Sequence, residues 1–208
     1  MPLVSVEGLD GAGKSSVIAA LSEAFPSAFF TEYPSTTRTV GRLIRDVLSE
    51  DTSGHPVGDI DEMTMAFLFL ADHTNQHVSE IAPALDRGEL VISDRHIDSL
   101  YTTQGVTTTS LSVADTLGWW RDLVSSGGWT TEPDLTLFID VPVDVAAARL
   151  SESSDPDRYE GAEILKQKRA AYQRLLEDEE RFVRLDGTQS KPDVAEQAVT
   201  AVNKYLSS

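Results

Sequence analysis

The sequence predicts an α/β protein in which a mostly parallel sheet is flanked by helices on both faces, a three-layer sandwich. Short apolar segments alternate with segments of helical periodicity along the chain. The segment at residues 90–93 is apolar on both faces, which is typical of a strand inside a parallel sheet. Parallel strands need crossover connections, and helices usually supply them. With 208 residues, we expect one domain spanning residues 1–208.

The predicted strands are short apolar runs bounded by turn residues or by helical segments. The first of them ends at a glycine-rich turn, and the one at 90–93 follows Gly88. The predicted strands are residues 3–7, 28–31, 90–93, 135–139 and 181–185.

The predicted helices have apolar residues at intervals of three and four. Pro26 ends the first, and Gly88 is well placed to end the long third one. Polar loops are expected at 51–58 and 151–159. The predicted helices are residues 17–25, 39–48, 59–87, 112–124, 143–150, 164–176 and 194–206.

The composition excludes several classes of protein. The net charge of −17 disfavours a protein that binds nucleic acid polymers through a broad basic surface. Cysteine is absent, which excludes disulfides and thiolate chemistry. No leader or membrane-spanning run is recognisable, so we expect a cytoplasmic protein without membrane contact. Only five of the 17 basic residues are lysine, and a surface of this kind suits concentrated salt.

A phosphate-binding loop (P-loop) is the strongest local signal. The stretch Gly8-Leu9-Asp10-Gly11-Ala12-Gly13-Lys14-Ser15, followed by Ser16, matches GxxxxGKS between a predicted strand and a predicted helix. Backbone amides of such a loop, together with the helix N-terminus, bind phosphates. Lys14 is placed for the β- and γ-phosphates, and Ser15 for Mg²⁺. The motif indicates ATP or GTP binding but does not specify the reaction.

Further segments, in this order and spacing, resemble the thymidylate kinase family of nucleoside monophosphate kinases. The resemblance covers nearly the whole chain and implies a P-loop three-layer fold. The segments are residues 7–16, 33–41, 67–73, 94–105, 133–142, 157–160 and 186–188.

The resemblance implies roles around the phosphates. Arg95 would contact the acceptor monophosphate, and Asp94 would lie near Mg²⁺ and its waters. Asp10 would position the acceptor's sugar. A lid at about residues 149–160 would bring Arg149 and Arg158 to the transferring phosphoryl group. From the residues alone, Asp94-Arg95 can also be a local ion pair, Asp10 a loop cap, and the two lid arginines solvated side chains.

On the acceptor side the resemblance implies that Phe69 stacks on the base, unless it is a core aromatic. It also assigns Arg38, Arg42, Ser99, Thr103 and Gln104 to the acceptor. Three positions in the acceptor pocket depart from the family pattern. His73 and Thr36 each stand where the family has an arginine, and Thr103 stands where it has an aromatic residue. The charge of a histidine depends on pH, unlike that of an arginine.

The implied activity is transfer of the γ-phosphoryl group of ATP to dTMP with Mg²⁺, in a homodimer. The alternatives are a kinase for another monophosphate, such as dUMP, or for a deoxynucleoside, and a nucleotide-binding regulator without turnover.

Overall fold

The computed structural model describes residues 1–48, 60–108, 115–151 and 161–207. In these ranges a five-stranded, all-parallel sheet has the order β2-β3-β1-β4-β5. The predicted fold class is therefore confirmed. The strands are β1 (Leu3–Gly8), β2 (Phe29–Glu32), β3 (Val91–Asp94), β4 (Leu135–Asp140) and β5 (Phe182–Asp186).

Helices cover both faces of the sheet. One face packs α1 and α9 against β1 and β4, and the other carries a second core built from α2, α3, α5, α6 and α8. The helices are α1 (Lys14–Ala24), α2 (Thr39–Leu48), α3 (Glu62–Gln76), α4 (Ala82–Asp86), α5 (Ile97–Thr107), α6 (Thr116–Gly127), α7 (Val143–Ser151), α8 (Ala162–Asp178) and α9 (Lys191–Leu206).

The long helical segment predicted at 59–87 is interrupted. A π-helical turn at His77–Ile81 joins α3 to α4, and Ala82 donates its amide hydrogen to the carbonyl of His77. Pro83 follows at once, and a proline lacks the amide hydrogen that a regular α-helix needs there. The wider turn accommodates the proline without ending the helix. The predicted glycine stop is at Gly88, which has φ 76°.

Helix α5 is not among the sequence predictions. Every residue from Ile97 to Gln104 is buried, polar and apolar alike, so the segment has no exposed face and no amphipathic period to reveal it. Helix α6 begins at Thr116, where the Asp115 side chain caps it by accepting from the Gly118 amide. The first residues of the helix predicted at 112–124 are not among those described. Residues 109–114 lie outside the described ranges.

None of the helices in the described ranges combines the length and apolar character that a bilayer crossing requires.

Candidate active site

The backbone of the phosphate loop requires glycine at specific points. A Cβ on Gly8 would lie 2.7 Å from the carbonyl oxygen of Ile139, and one on Gly11 would lie 2.6 Å from that of Ala146. Gly13 has φ 102° and caps the N-terminus of α1. The loop is therefore held against β4 and α7 by contacts that only glycine permits.

The remaining loop residues divide into buried and accessible ones. Leu9 and Ala12 belong to the core, so they can offer a ligand only their backbone. Ser15 is exposed on the first turn of α1, and Ser16 is half-buried. The accessible chemistry of the loop is thus backbone amides, one helix N-terminus and the Ser15 hydroxyl, a combination that suits phosphate and a cation bound to it.

Asp10 is the centre of the charged cluster. Its Oδ1 pairs with Arg95 and lies 3.8 Å from Nζ of Lys14, while its Oδ2 lies 3.3 Å from Nζ of Lys168. Burial by itself raises the pKa of this carboxyl, but the three cations outweigh it and hold the pKa well below its usual value. Asp10 is therefore ionised.

The charged cluster also affects the protonation of Lys14. Its Nζ donates to the carbonyl oxygen of Leu9 at 3.0 Å. Burial and the charge of the neighbouring Arg95 together lower the pKa of Lys14 to about 8, against the opposite effect of Asp10. The cation that the sequence assigns to the donor phosphates thus titrates close to neutral pH.

Arg95 follows β3 in a left-handed conformation with φ 66°, which is strained for any residue other than glycine. Its Nη1 donates to the Gly8 carbonyl at 3.0 Å and to Oγ of Ser99 at 3.0 Å, while Nη2 pairs with Asp10. The guanidinium therefore spans β1, the phosphate loop and α5. Strain of this kind commonly marks a functional position.

Asp94 is the last residue of β3 and lies beside Val6 of β1 in the parallel register. Its Oδ1 is buried and accepts no hydrogen bond from the described residues. A buried carboxylate oxygen without a donor is suited to a cation or to water bound to one.

Behind Arg95 lies a buried acidic network centred on Glu7. The carboxylate accepts from the His96 amide at 2.7 Å, the Ser99 hydroxyl at 2.6 Å and the Tyr172 hydroxyl at 2.8 Å. Burial, together with the charge of Asp98, raises the pKa of Glu7 to about 7. This network fixes Ser99, which in turn contacts Arg95.

Arg149 joins the phosphate loop to the turn after β5. Its guanidinium donates to the carbonyl oxygens of Gly11 and Ala12 at 3.2 and 3.3 Å and to that of Gly187 at 3.1 Å. In this arrangement it braces the loop from α7. Arg158, the other predicted lid arginine, lies outside the described residues, as does the rest of the lid from 152 to 160.

Phe69 is 6% exposed and part of the core cluster that includes α3 and α5. Its ring meets that of Tyr33 edge to face at a centroid distance of 6.1 Å, and its carbonyl accepts from the Tyr33 hydroxyl. These contacts support the interpretation of Phe69 as a core aromatic residue. A base that stacked on Phe69 would contact only the small part of the ring that remains exposed.

His73 corrects one expectation. The sequence suggests a side chain whose charge depends on pH, but His73 is fully buried and burial lowers its pKa to about 3. Its Nε2 shares a hydrogen bond with Thr130 Oγ1 at 2.8 Å, and its ring meets those of Tyr33 and His96 at 5.1 and 4.5 Å. At neutral pH this is an uncharged imidazole.

The other predicted acceptor residues differ in accessibility. Arg38 pairs with Glu80, whereas Arg42 is exposed on α2. Thr103 and Gln104 are buried in α5, and Nε2 of Gln104 has no partner among the described residues.

Two elements of the site escaped the sequence predictions. Lys168 lies on the buried face of α8 with Leu165, Tyr172 and Leu175. The sequence signal for Lys168 was a lysine among the apolar residues of one helical face. The signal for Glu7 was a carboxylate in an otherwise buried strand, because burying a carboxylate is costly unless it is hydrogen-bonded.

Comparison with known proteins identifies the family. The family model described as thymidylate kinase matches residues 6–198. A probable thymidylate kinase from Halobacterium salinarum is 38% identical, covering 98% of this chain and 96% of that protein. One from Methanococcoides burtonii is 34% identical, covering 99% and 98%. The solved thymidylate kinase of Candida albicans shares the fold with a TM-score of 0.80 at 19% identity, covering 98% of this chain and 92% of that one.

The matched family region includes the phosphate loop, Asp94-Arg95 and α8, the segments that build the charged cluster. The chain belongs to the thymidylate kinase family.

Proposed function

We propose that this chain transfers the γ-phosphoryl group of ATP to dTMP, giving dTDP and ADP. The observation that carries the proposal is the meeting of Lys14 and Arg95 at one oxygen of Asp10. Lys14 comes from the donor loop and Arg95 from the end of β3. Two phosphorylated ligands held by these cations would lie end to end, which is the arrangement that phosphoryl transfer needs.

In the reaction, an oxygen of the acceptor phosphate attacks the γ-phosphorus, and the bond to the β–γ bridging oxygen breaks to release ADP. No side chain acts as the nucleophile. Lys14 and the loop amides hold the β- and γ-phosphates, and Arg95 holds the acceptor phosphate by a bidentate contact. Rate enhancement then comes from positioning and neutralisation of charge.

Arg149 and Arg158 complete the cationic surround when the lid closes. The contacts of Arg149 with the carbonyls of Gly11 and Ala12 support this role, because they keep a guanidinium at the edge of the phosphate loop. Closure would also exclude water from the transferring group.

Mg²⁺ fits the residues at this edge. The Oδ1 of Asp94, which has no partner among the described residues, and the exposed Ser15 hydroxyl are hard oxygen ligands of the type that Mg²⁺ takes together with phosphates and waters. When bound, the ion neutralises charge on the phosphate oxygens.

Residues 1–208 form one kinase domain in this proposal, acting in the cytoplasm as a homodimer. Exposed apolar side chains on the α3 and π-helical segment, Phe67 at 49% and Val78 at 65%, support a second copy packing there. Sedimentation in molar KCl tests the dimer, and a monomer at micromolar concentration would contradict it.

The decisive test measures ADP release with ATP, Mg²⁺ and dTMP, dUMP, dCMP, dGMP or dAMP side by side. We expect dTMP to give the highest kcat/KM. The Lys14→Ala variant and a reaction without acceptor set the background. A higher kcat/KM with another monophosphate would overturn the acceptor assignment, and ATP binding without ADP release would overturn the reaction.

A further inference from the structure

Lys168 is a buried lysine that the phosphoryl-transfer scheme above does not use. It is 4% exposed and lies on the core-facing side of α8, one turn before Tyr172. Lysine is seldom buried unless it is paired. Its described ion-pair partner is Asp10 of the phosphate loop, 158 positions away in the sequence, with Nζ 3.3 Å from Oδ2.

The two oxygens of Asp10 face different cations. Oδ1 meets Arg95 and Lys14, the two cations that the proposed reaction needs for acceptor and donor phosphates. Oδ2 meets Lys168. One oxygen of the carboxylate thus faces the cations that would bind the ligands, and the other faces α8.

Ligand binding changes the charge balance at Asp10. When Lys14 and Arg95 turn to phosphates, Asp10 loses both partners on Oδ1 and remains next to several negative phosphate oxygens. The Asp10 side chain is only 29% exposed, and a largely desolvated carboxylate beside phosphate charges is unfavourable without a counterion. Lys168 is the cation whose contact with Oδ2 can persist, because that contact is on the opposite side of the carboxylate.

We propose that Lys168 is a positioning residue: it is the permanent counterion of Asp10, which keeps this carboxylate ionised and oriented so that Lys14 and Arg95 can move to the phosphates. This inference rests on the proposed function. It makes α8, the helix that directly follows the predicted lid, part of the nucleotide site through one ion pair.

A set of variants tests the proposal through ATP affinity, measured by calorimetry, and through kcat and KM for each substrate. Lys168→Met should weaken ATP binding by about tenfold or more, the scale of losing one charge contact. Lys168→Arg should recover most of that affinity. Lys166→Met, which removes an exposed lysine from the same helix, is the matched control and should change little.

The decisive comparison places Lys168→Met in an Asp10→Asn background. If Lys168 acts through Asp10, the second substitution costs less than about threefold in ATP affinity there, so the two effects are strongly non-additive. An equal loss in both backgrounds would mean that Lys168 contacts phosphate itself, and it would overturn the proposal. Thermal melting of each variant shows that the measured chains are folded. In the double variant both charges of the Asp10–Lys168 pair are removed, so neither is left without its partner.

A purely structural role makes a different prediction. The Lys168→Met loss would then follow the unfolded fraction and disappear below the melting transition, with affinity per folded molecule unchanged. That result would also refute the counterion role. Because ATP binding is measured apart from turnover, a wild-type chain that binds ATP without phosphorylating any monophosphate overturns the proposed function while the comparison still decides the role of Lys168. A chain that binds no nucleotide would overturn both.

Discussion

The Tyr172 hydroxyl offers a direct test of the buried acidic network. It is fully buried and donates to Oε2 of Glu7 at 2.8 Å, and its ring stacks on Phe138 with a centroid distance of 4.9 Å. Tyr172→Phe keeps the ring and its stacking but removes this donor. The hydroxyl also lies 3.0 Å from Oγ of Ser99. The substitution therefore removes the hydrogen bond to the buried carboxyl together with this contact.

The expected loss of stability depends on pH. The pKa of Glu7 is raised to about 7, so Glu7 is neutral near pH 5.5 and ionised near pH 8.5. A hydrogen bond to a charged group contributes about 1.5–3 kcal/mol, and one between neutral groups about 0.5–1.5 kcal/mol. We expect Tyr172→Phe to lower the free energy of unfolding by about 2 kcal/mol near pH 8.5 and by about 1 kcal/mol near pH 5.5.

The sign follows from the raised pKa. A carboxyl whose pKa is higher in the folded state favours folding most at low pH, and this contribution is lost as pH rises through 7. Tyr172 is one of the groups that lower the pKa of Glu7, so removing it extends that loss to higher pH. Urea unfolding at both pH values, with KCl held constant, measures the difference.

Tyr101→Phe is the matched control. Tyr101 is equally buried, but its hydroxyl has no hydrogen-bond partner in the described part of the chain. Removing it should change stability by less than about 0.5 kcal/mol at either pH, or increase it. Equal losses for Tyr172→Phe at the two pH values, or a loss of similar size for Tyr101→Phe, would refute the network as described.

Three further predictions follow from the charged cluster and from the composition. Lys14→Ala and Arg95→Ala should each lower kcat/KM by about a thousandfold with little change in melting temperature, and near-normal turnover would refute the assigned role. The pKa of Lys14 is lowered to about 8, so we expect KM for ATP to rise above that pH. The free enzyme then loses the positive charge that binds phosphate, whereas bound phosphate keeps Lys14 protonated. A KM that stays constant up to pH 9 would contradict this. The net charge of −17 predicts a higher melting temperature in molar KCl than in dilute buffer, and no gain would argue against adaptation to salt.

Elements with a clear local pattern were predictable from the sequence. All five strands were expected within one or two residues, and α2 at its observed bounds, because the alternation or period of apolar residues is visible along the chain. Helix α5 was missed for the opposite reason. It is surrounded on all sides, so its threonines, Tyr101 and Gln104 are as buried as its leucine, and no periodic pattern remains to be read.

The same distinction holds within the active site. The phosphate loop and Asp94-Arg95 were recognisable because their chemistry depends on residues adjacent in sequence. Lys168 was not, since its role arises from a contact across 158 positions. The state of His73 likewise depends on packing, because burial lowers its pKa and keeps the imidazole neutral well below pH 7.

The sequence by itself determined the layered α/β class, the phosphate loop and the position of Arg95 at the end of a central strand, since each is encoded in a continuous stretch of a few residues. Only the tertiary structure decided which charges meet. Asp10, Lys14, Arg95 and Lys168 come together because three distant segments converge at one edge of the sheet, and Coulomb energies depend on distances in space that no local pattern specifies.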